Sequence, residues 1–499
     1  MYYKSNHNFG KMKYITGLLV LLSVSVCSYA QQDSTEIERV WENYTQYKEP
    51  SIKSRLFKHS DLLPLMEKHV KNKLLSDEII GESVAHRSIH HLTTGKGKIK
   101  VLLWSQMHGD EATATMALFD LFNFLAANDQ FNPLRNKLLS QLELHFVPML
   151  NPDGAQVWTR RNDMNIDLNR DAKNLATPEA QALMELAKRL KPDFGFNLHD
   201  QSTLYAAGKN TKNPATISFL APAYNTAKEM NPVRTRAVKL IVSINNAIQT
   251  KIPSQVAKYN DTHDSTCFGD TFQGMGISTV LIESGGYQND PDKQFIRQVN
   301  FYGLLTALNA IATQSYANEN ELTYWSLPNN NRNLYDLIVR SLAISTDGGN
   351  EKLDLGINRS QNISSDFLSM NYKGVIAKAG DLDSAYGYHE IDADQLSLVY
   401  GKIKKMRKNK WEKLTAAKEL RLIKRGYLFV KWKEQQSPTK PIKERTLNLT
   451  NKEMPNNLEA PNPANFILAR GRKPVYAIVN GFLIDLSTNA KPVVNTMGY

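Results

Sequence analysis

KIKVLLWSQMHGDEATATMALFDLFNFLAA, residues 98–127, decides how the first half of the chain reads. Residues 98–104 form a short, nearly continuous apolar run, the pattern of a strand covered on both faces. Residues 115–125 are apolar at helical spacing. The polar turn between them carries His108 and Glu111, three residues apart. Two readings of that turn stand open here: an ordinary connection into a helix, or the first two ligands of a metal.

The strand-then-helix rhythm repeats downstream. LELHFVPM runs into NPDG, and the helical TPEAQALMELAKRL leads to the strand DFGFNLH. AVKLIVSINNAIQTKI is helical, STVLIES a strand, and RQVNFYGLLTALNAIATQS a closing apolar helix. Such alternation predicts an α/β fold: a mixed, mostly parallel sheet with helices on both faces. Upstream, IERVWENYTQY and SIKSRLFKHSDLLPLMEKHVKN read as helices, with Ser60 as a cap. Residues 77–103 read as strand, turn and strand around Thr-Gly-Lys-Gly, with His90 and His91 as surface strand residues. The stretch DQSTLYAAGKNTKNPATISFLAPAYN after FNLH reads as a long loop walling a cleft. Residues 31–320 are therefore expected to form one α/β unit with a helical lead-in. Short apolar runs between Asn, Gly and Asp turns predict a β-rich C-terminal domain over 325–499.

A chain of 499 residues suits two or three domains, and 41% apolar with 22% charged residues is a globular composition. Lys and Arg number 61 against 49 Asp and Glu. Residues 402–445 hold sixteen Lys and Arg against four Glu, an excess equal to the whole chain's +12. The basicity is thus local, and no nucleic-acid motif accompanies it. The segment reads as a solvated helix and hairpin, or as a foot on an anionic envelope surface. KMKYITGLLVLLSVSVCSYA, residues 11–30, reads as a signal peptide cleaved after Ala30, which predicts a periplasmic or secreted protein. No later run reaches the roughly 18 apolar residues of a membrane span. Cleavage would remove Cys27 and leave Cys267, so no internal disulfide is expected.

The ends of the predicted strands carry the chemistry. KIKVLLW leads to His108 and Glu111, DFGFNLH ends on His199, and STVLIE ends on Glu283. Ligands of open α/β sheets bind beyond the carboxyl ends of the strands. Two imidazoles and a carboxylate suit a catalytic zinc with one open position, and a further glutamate suits a general base. Asp200 is a candidate to orient a histidine. WTRRNDMNIDLNRDA gathers Arg160, Arg161, Arg170, Asn162 and Asn169. They read either as donors to an oxyanion and a carboxylate, or as a polar loop paired with Asp163, Asp167 and Asp171. Cys267 with His263 nearby is read as structural rather than nucleophilic.

HGDE, NPDG, TRRN, DLNRD, FNLH and LIESGG, in that order, resemble the zinc carboxypeptidases of the carboxypeptidase A and B type, over roughly residues 60–315. The resemblance implies one Zn2+ held by His108, Glu111 and His199, with Glu283 as general base. It implies Arg160 as the group polarising the scissile carbonyl, with Arg161 a neighbouring alternative. Asn169 and Arg170 match the pair that holds a terminal carboxylate, and Tyr259 matches a mobile tyrosine. The expected substrate is a peptide with a free C-terminal carboxylate. A zinc deacylase acting on N-acyl amino acids or cell-wall peptides is the nearer alternative, and a non-catalytic binding protein on the same fold the farther one.

Overall fold

The computed structural model describes residues 35–346, 349–363, 367, 370–432, 446–450 and 457–488. The expected signal peptide, residues 1–30, lies outside them. Helices α1 (residues 35–42) and α2 (His59–Lys71) lead in. Ser60 is not the cap of α2. The helix starts one residue earlier, and the Asp61 carboxylate accepts a hydrogen bond from the Lys58 amide at 2.8 Å.

Strands β1 (Ser76–Glu82), β2 (Ser88–Thr94), β3 (Ile99–Ser105), β4 (Leu142–Val147) and β5 (Phe194–Asp200) alternate with α3 (Thr113–Ala126), α4 (Asn132–Gln141), α5 (Pro152–Val157) and α6 (Pro178–Leu190). There follow β6 (Ala206–Ala207), β7 (Ile217–Leu220), α7 (Pro232–Ile248), β8 (Val256–Lys258), α8 (Phe268–Gly274), β9 (Ser278–Ser284), α9 (Gln294–Thr313) and α10 (Glu321–Ser326). The main sheet has the order β1-β2-β4-β3-β5-β9-β7-β8. Its centre is parallel; β1, β2 and β7 supply the antiparallel pairings.

The apolar run that opens the reading is covered on both faces. Val101 and Leu103 join one core with α3, α7 and α9. Leu102 and Trp104, pointing the other way, join a second core with α6 and α8. The fold is α/β, mixed and mostly parallel, with helices on both faces. Three local expectations change. Strand β4 is inserted between β2 and β3, so Thr-Gly-Lys-Gly is a crossover rather than a hairpin turn. His91 is not a surface residue: it is 3% exposed and stacks on His145 at 5.2 Å. The stretch after FNLH is not all loop, because it holds β6 and β7.

A buried ion pair fastens the lead-in to this core. Arg297 and Asp120, both side chains 0% exposed, pair between α9 and α3. Tyr44 Oη donates to Asp120 Oδ2 at 2.7 Å, the Glu49 amide to Oδ1 at 2.7 Å, and Arg297 Nη1 to the Ile52 carbonyl at 2.7 Å.

Beyond α10 the chain is β-rich. β10 (Asn330–Asn331) pairs with β6. β11 (Leu334–Thr346), β12 (Gly349–Ile363), β13 (Met370–Gly380), β14 (Tyr386–Asp392) and β15 (Ser397–Tyr400) then share a sheet with β19 (Phe466–Arg470), β20 (Lys473–Val479) and β21 (Phe482–Asp485). β16 (Lys402–Met406), β17 (Tyr427–Trp432) and β18 (Asn448–Leu449) form a smaller one. The basic segment is not a helix and hairpin. Its β16 and β17 are parallel, joined by the helices α11 (Lys408–Glu412) and α12 (Ala416–Ile423), and residues 433–445 lie outside the described residues. No helix of the described residues is long and apolar enough to cross a membrane.

Candidate active site

The site lies at the carboxyl ends of β3, β5 and β9. β5 and β9 are parallel and register His199 directly beside Glu283. After β3 the chain turns through Gln106, at φ +48, and reaches His108 and Glu111 before α3 begins. This turn is clasped by the NPDG segment. The Leu150 and Asn151 amides donate to the Ser105 and Gln106 carbonyls at 3.1 and 3.0 Å. The backbones approach so closely that a Cβ on Gly109 would stand 2.0 Å from the Gly154 carbonyl carbon, which explains the glycine. Asn151 Nδ2 also donates to the Arg160 carbonyl at 3.3 Å, so the clasp continues into the arginine loop.

Among the described residues, His108, Glu111 and His199 are the one group of three or more such side chains whose donor atoms converge, all within 4.8 Å of one another. Glu111 offers one oxygen to each imidazole: Oε1 lies 2.8 Å from His108 Nδ1 and Oε2 2.7 Å from His199 Nδ1. Both rings are held from behind. His108 Nε2 is 2.9 Å from Asp167 Oδ1, and His199 Nε2 is 3.3 Å from the Asn169 amide. With Nε2 turned to Asp167, Nδ1 is the His108 nitrogen that faces inward toward Glu111, and the one that a metal would take in place of a proton. Burial opposes ionisation of Glu111, yet His108 and His199 outweigh it and hold the carboxyl well below its usual range. Burial likewise works against charge on His108, but Glu111 and then Asp167 raise it to about 9. The donor set is therefore an anion between two imidazoles, which suits a divalent cation such as zinc.

Opposite stands Glu283, 7% exposed, whose Oε2 has no hydrogen-bond partner. Burial, and then the negative charge of Glu111, push it well above the usual carboxylate range. An unpartnered, proton-hungry carboxylate beside a cation site is equipped to take a proton from water.

Arg160 faces inward and Arg161 does not. Arg160 Nη1 donates to Glu111 Oε1 at 3.1 Å and its Nε to Asp167 Oδ2 at 3.0 Å, whereas the exposed Arg161 donates to the Asn165 carbonyl. The polar-loop reading is thus also present, because Arg160 and Asp167 are paired. Asn169 Oδ1 accepts from the Phe268 amide at 3.1 Å, tying the loop to α8. Arg170 is half-exposed and meets Cys267 Sγ at 3.1 Å and Asp264 at 3.4 Å. Tyr259 follows β8; burial, then the charge of Glu283, raise its hydroxyl above the ordinary value. Burial pushes the Cys267 thiol up to about 12, and His263 turns to the Ala223 carbonyl and Asp270, so no nucleophilic pair forms.

Residues 67–276 match the zinc carboxypeptidase family model. This stretch, less than half of the chain, is similar to the zinc carboxypeptidases. Carboxypeptidase SOL1 of Arabidopsis thaliana is 33% identical over 103 residues, 19% of this chain and 21% of that one. Carboxypeptidase 2 of Trichophyton tonsurans is 30% identical over 135 residues, 27% of this chain and 24% of that one. The chain thus spans about a quarter or less of the length of these relatives. A metallo-carboxypeptidase from Burkholderia cenocepacia aligns with a TM-score of 0.43 at 17% identity, covering 52% of this chain and 70% of that one.

Two groups behind this site carry no site signal in the sequence. Asp167 was visible only as a possible loop partner, although it opens the quoted DLNRD. Lys293 had no local signal: its Nζ is buried and donates to Asp200 Oδ2 at 3.0 Å and to the Ser284 carbonyl at 2.8 Å. Asp200, expected to orient a histidine, instead presents its amide to Glu111 Oε2 at 3.1 Å and its carboxylate to Lys293 and Thr113.

Proposed function

We propose that the chain is an exported zinc metallocarboxypeptidase that hydrolyses the last peptide bond of a substrate with a free carboxylate. The observation that carries this reading is the convergence of His108, Glu111 and His199 beside an unpartnered Glu283 oxygen. Zinc held by those three side chains supplies Lewis acidity, polarising a carbonyl and acidifying water. Glu283 accepts the proton of the attacking water and hands it to the leaving nitrogen. Arg160, anchored on Asp167, donates to the oxygen on which negative charge develops. Arg170, with the remaining N–H of the Asn169 amide, holds the terminal carboxylate, and Tyr259 closes over the substrate. Export rests on the signal-like residues 11–30, and the basic 402–445 segment supplies contact with an anionic envelope surface.

The test is metal content together with mass spectrometry of a mixed peptide pool, for the wild type and Glu283→Gln. One zinc per chain in both proteins, with C-terminal residues lost only under wild type, is the expected result. Zinc in both with no trimming, and turnover of N-acyl amino acids instead, would overturn the carboxypeptidase reading in favour of a deacylase.

A further inference from the structure

The two strands that deliver His199 and Glu283 continue into segments that run side by side. The Gln201 amide donates to the Ser284 carbonyl at 3.0 Å, the Gly285 amide to the Thr216 carbonyl at 2.9 Å, and Thr216 Oγ1 to the Gly286 carbonyl at 2.8 Å. Together, residues 201–216 and 285–292 form one wall beside the site. Gln201 stands two residues beyond His199 and Gly285 two beyond Glu283, so the wall begins at the edge of the site.

The outer side of that wall is held by the C-terminal half. Asn330 Nδ2 donates to Gln201 Oε1 at 2.8 Å, Asn331 pairs with Ala206, and the Leu334 amide donates to the Leu204 carbonyl at 3.1 Å. From β14, Tyr388 Oη donates to the Thr203 carbonyl at 2.5 Å, and Gln288 Nε2 donates to the Tyr388 carbonyl at 3.4 Å. A Cβ on Gly286 would lie 2.1 Å from Tyr388 Oη and 2.9 Å from the Thr203 carbonyl oxygen. The phenol thus fills the space that a side chain three residues after Glu283 would occupy. A second anchor is Arg55, whose Nη2 donates to the Pro291 carbonyl and to Gln361 Oε1 of β12, each at 2.9 Å.

We propose that the C-terminal β unit is a positioning element of the cleft, and that Tyr388, seated between Thr203 and Gly286, sets the placement of the wall leaving His199 and Glu283. This deepens the carboxypeptidase reading and rests on it for its kinetic consequence. Tyr388 is a positioning residue. It acts through backbone at Thr203, four residues from His199, and through its close contact at Gly286. A displacement of about 1 Å at such a distance from the chemistry can lower rates by up to about 100-fold.

The experiment uses full-length Tyr388→Ala, Tyr388→Phe and Asn330→Ala. It measures zinc content, kcat and KM on a peptide trimmed by the wild type, and hydrogen exchange across 201–216 and 285–292. Tyr388→Ala is expected to keep its zinc, to exchange these segments tenfold faster or more, and to lower kcat/KM by ten- to a hundredfold, mainly through kcat. Tyr388→Phe, which keeps the ring, falls between it and wild type. A folded Tyr388→Ala with wild-type exchange and wild-type kcat overturns the proposal. Should Tyr388→Ala not fold, Asn330→Ala, which loosens the same wall at Gln201, decides by the same readouts. A wild type that trims no peptide defeats the carboxypeptidase reading alone, and the exchange data then decide whether the wall is held as proposed.

Discussion

Asp120 and Glu283 are buried carboxylates of the same α/β unit, and they are opposites. Asp120 is met by the Arg297 guanidinium, the Tyr44 hydroxyl and the Glu49 amide. Glu283 has an oxygen with no partner and faces another carboxylate, Glu111, across the site. Removing a charge from water costs several kcal/mol unless partners replace the solvent, so the first arrangement holds the fold together and the second suits the proposed proton acceptor. On the proposed reading, the first carboxylate serves shape and the second serves chemistry.

The sharpest test of that contrast exchanges charge for shape at Glu283. Glu283→Gln should lower peptide hydrolysis by roughly 10⁴-fold, the upper range for a general base. The same change should raise the melting temperature of the metal-free chain by about 2 °C or more, because a buried ionisable group without partners is replaced by a neutral one. A lower melting temperature would mean that the carboxylate is part of the scaffold after all. Asp120→Ala should do the reverse. It strands Arg297 and should destabilise the α/β unit by about 3–5 kcal/mol in denaturant unfolding, while leaving zinc stoichiometry at one in the folded fraction. A loss under about 1 kcal/mol would show that the buried pair contributes little. Next in size is Arg160→Ala, expected to lower kcat by about 10²–10³-fold, as for loss of an oxyanion donor, while Arg161→Ala leaves kcat within about twofold. Equal effects at both positions would remove the distinction that the inward pairing of Arg160 with Asp167 draws.

The comparison also explains what the sequence made legible. His108, Glu111, His199 and Glu283 could be grouped from the sequence because each lies at or just past the end of a short apolar strand, and the parallel sheet aligns such strand ends by itself. The α/β architecture was readable for the same reason, through the alternation of residues 98–127 and its repeats. Lys293, Arg297 and Tyr388 were not readable as partners, because their contacts depend on packing between segments far apart in the chain. Tyr388 meets Thr203 across 185 positions and Arg297 meets Asp120 across 177. His91 was misread because period-two alternation gives the face of a strand but not whether that face is covered. β7 was missed because ISFL is only four residues long and sits among turn-forming residues.

The smallest expected effect tests the supporting side of the contrast through pH. Glu49 lies beside the Asp120 network and is nearly enclosed, with its side chain 4% exposed. Burial opposes its ionisation, but hydrogen bonds from Ser51 and Asn123 and the charge of Lys68 outweigh burial and lower its pKa to about 2. A carboxylate whose pKa is lower in the folded chain than the ordinary 4.5 stabilises the fold above pH 4.5. That contribution disappears as pH falls from about 4.5 toward 2, where the folded-state group also protonates. Glu49→Gln should therefore cost about 2 kcal/mol at pH 7 and progressively less as the solution is acidified, so that the wild-type and variant unfolding curves converge near pH 2. Thermal unfolding at intervals from pH 7 to pH 2 measures this directly. A constant gap between the curves would assign the loss to the shape of the Ser51–Asn123 contact rather than to charge, and Glu49 would then support the lead-in by packing alone.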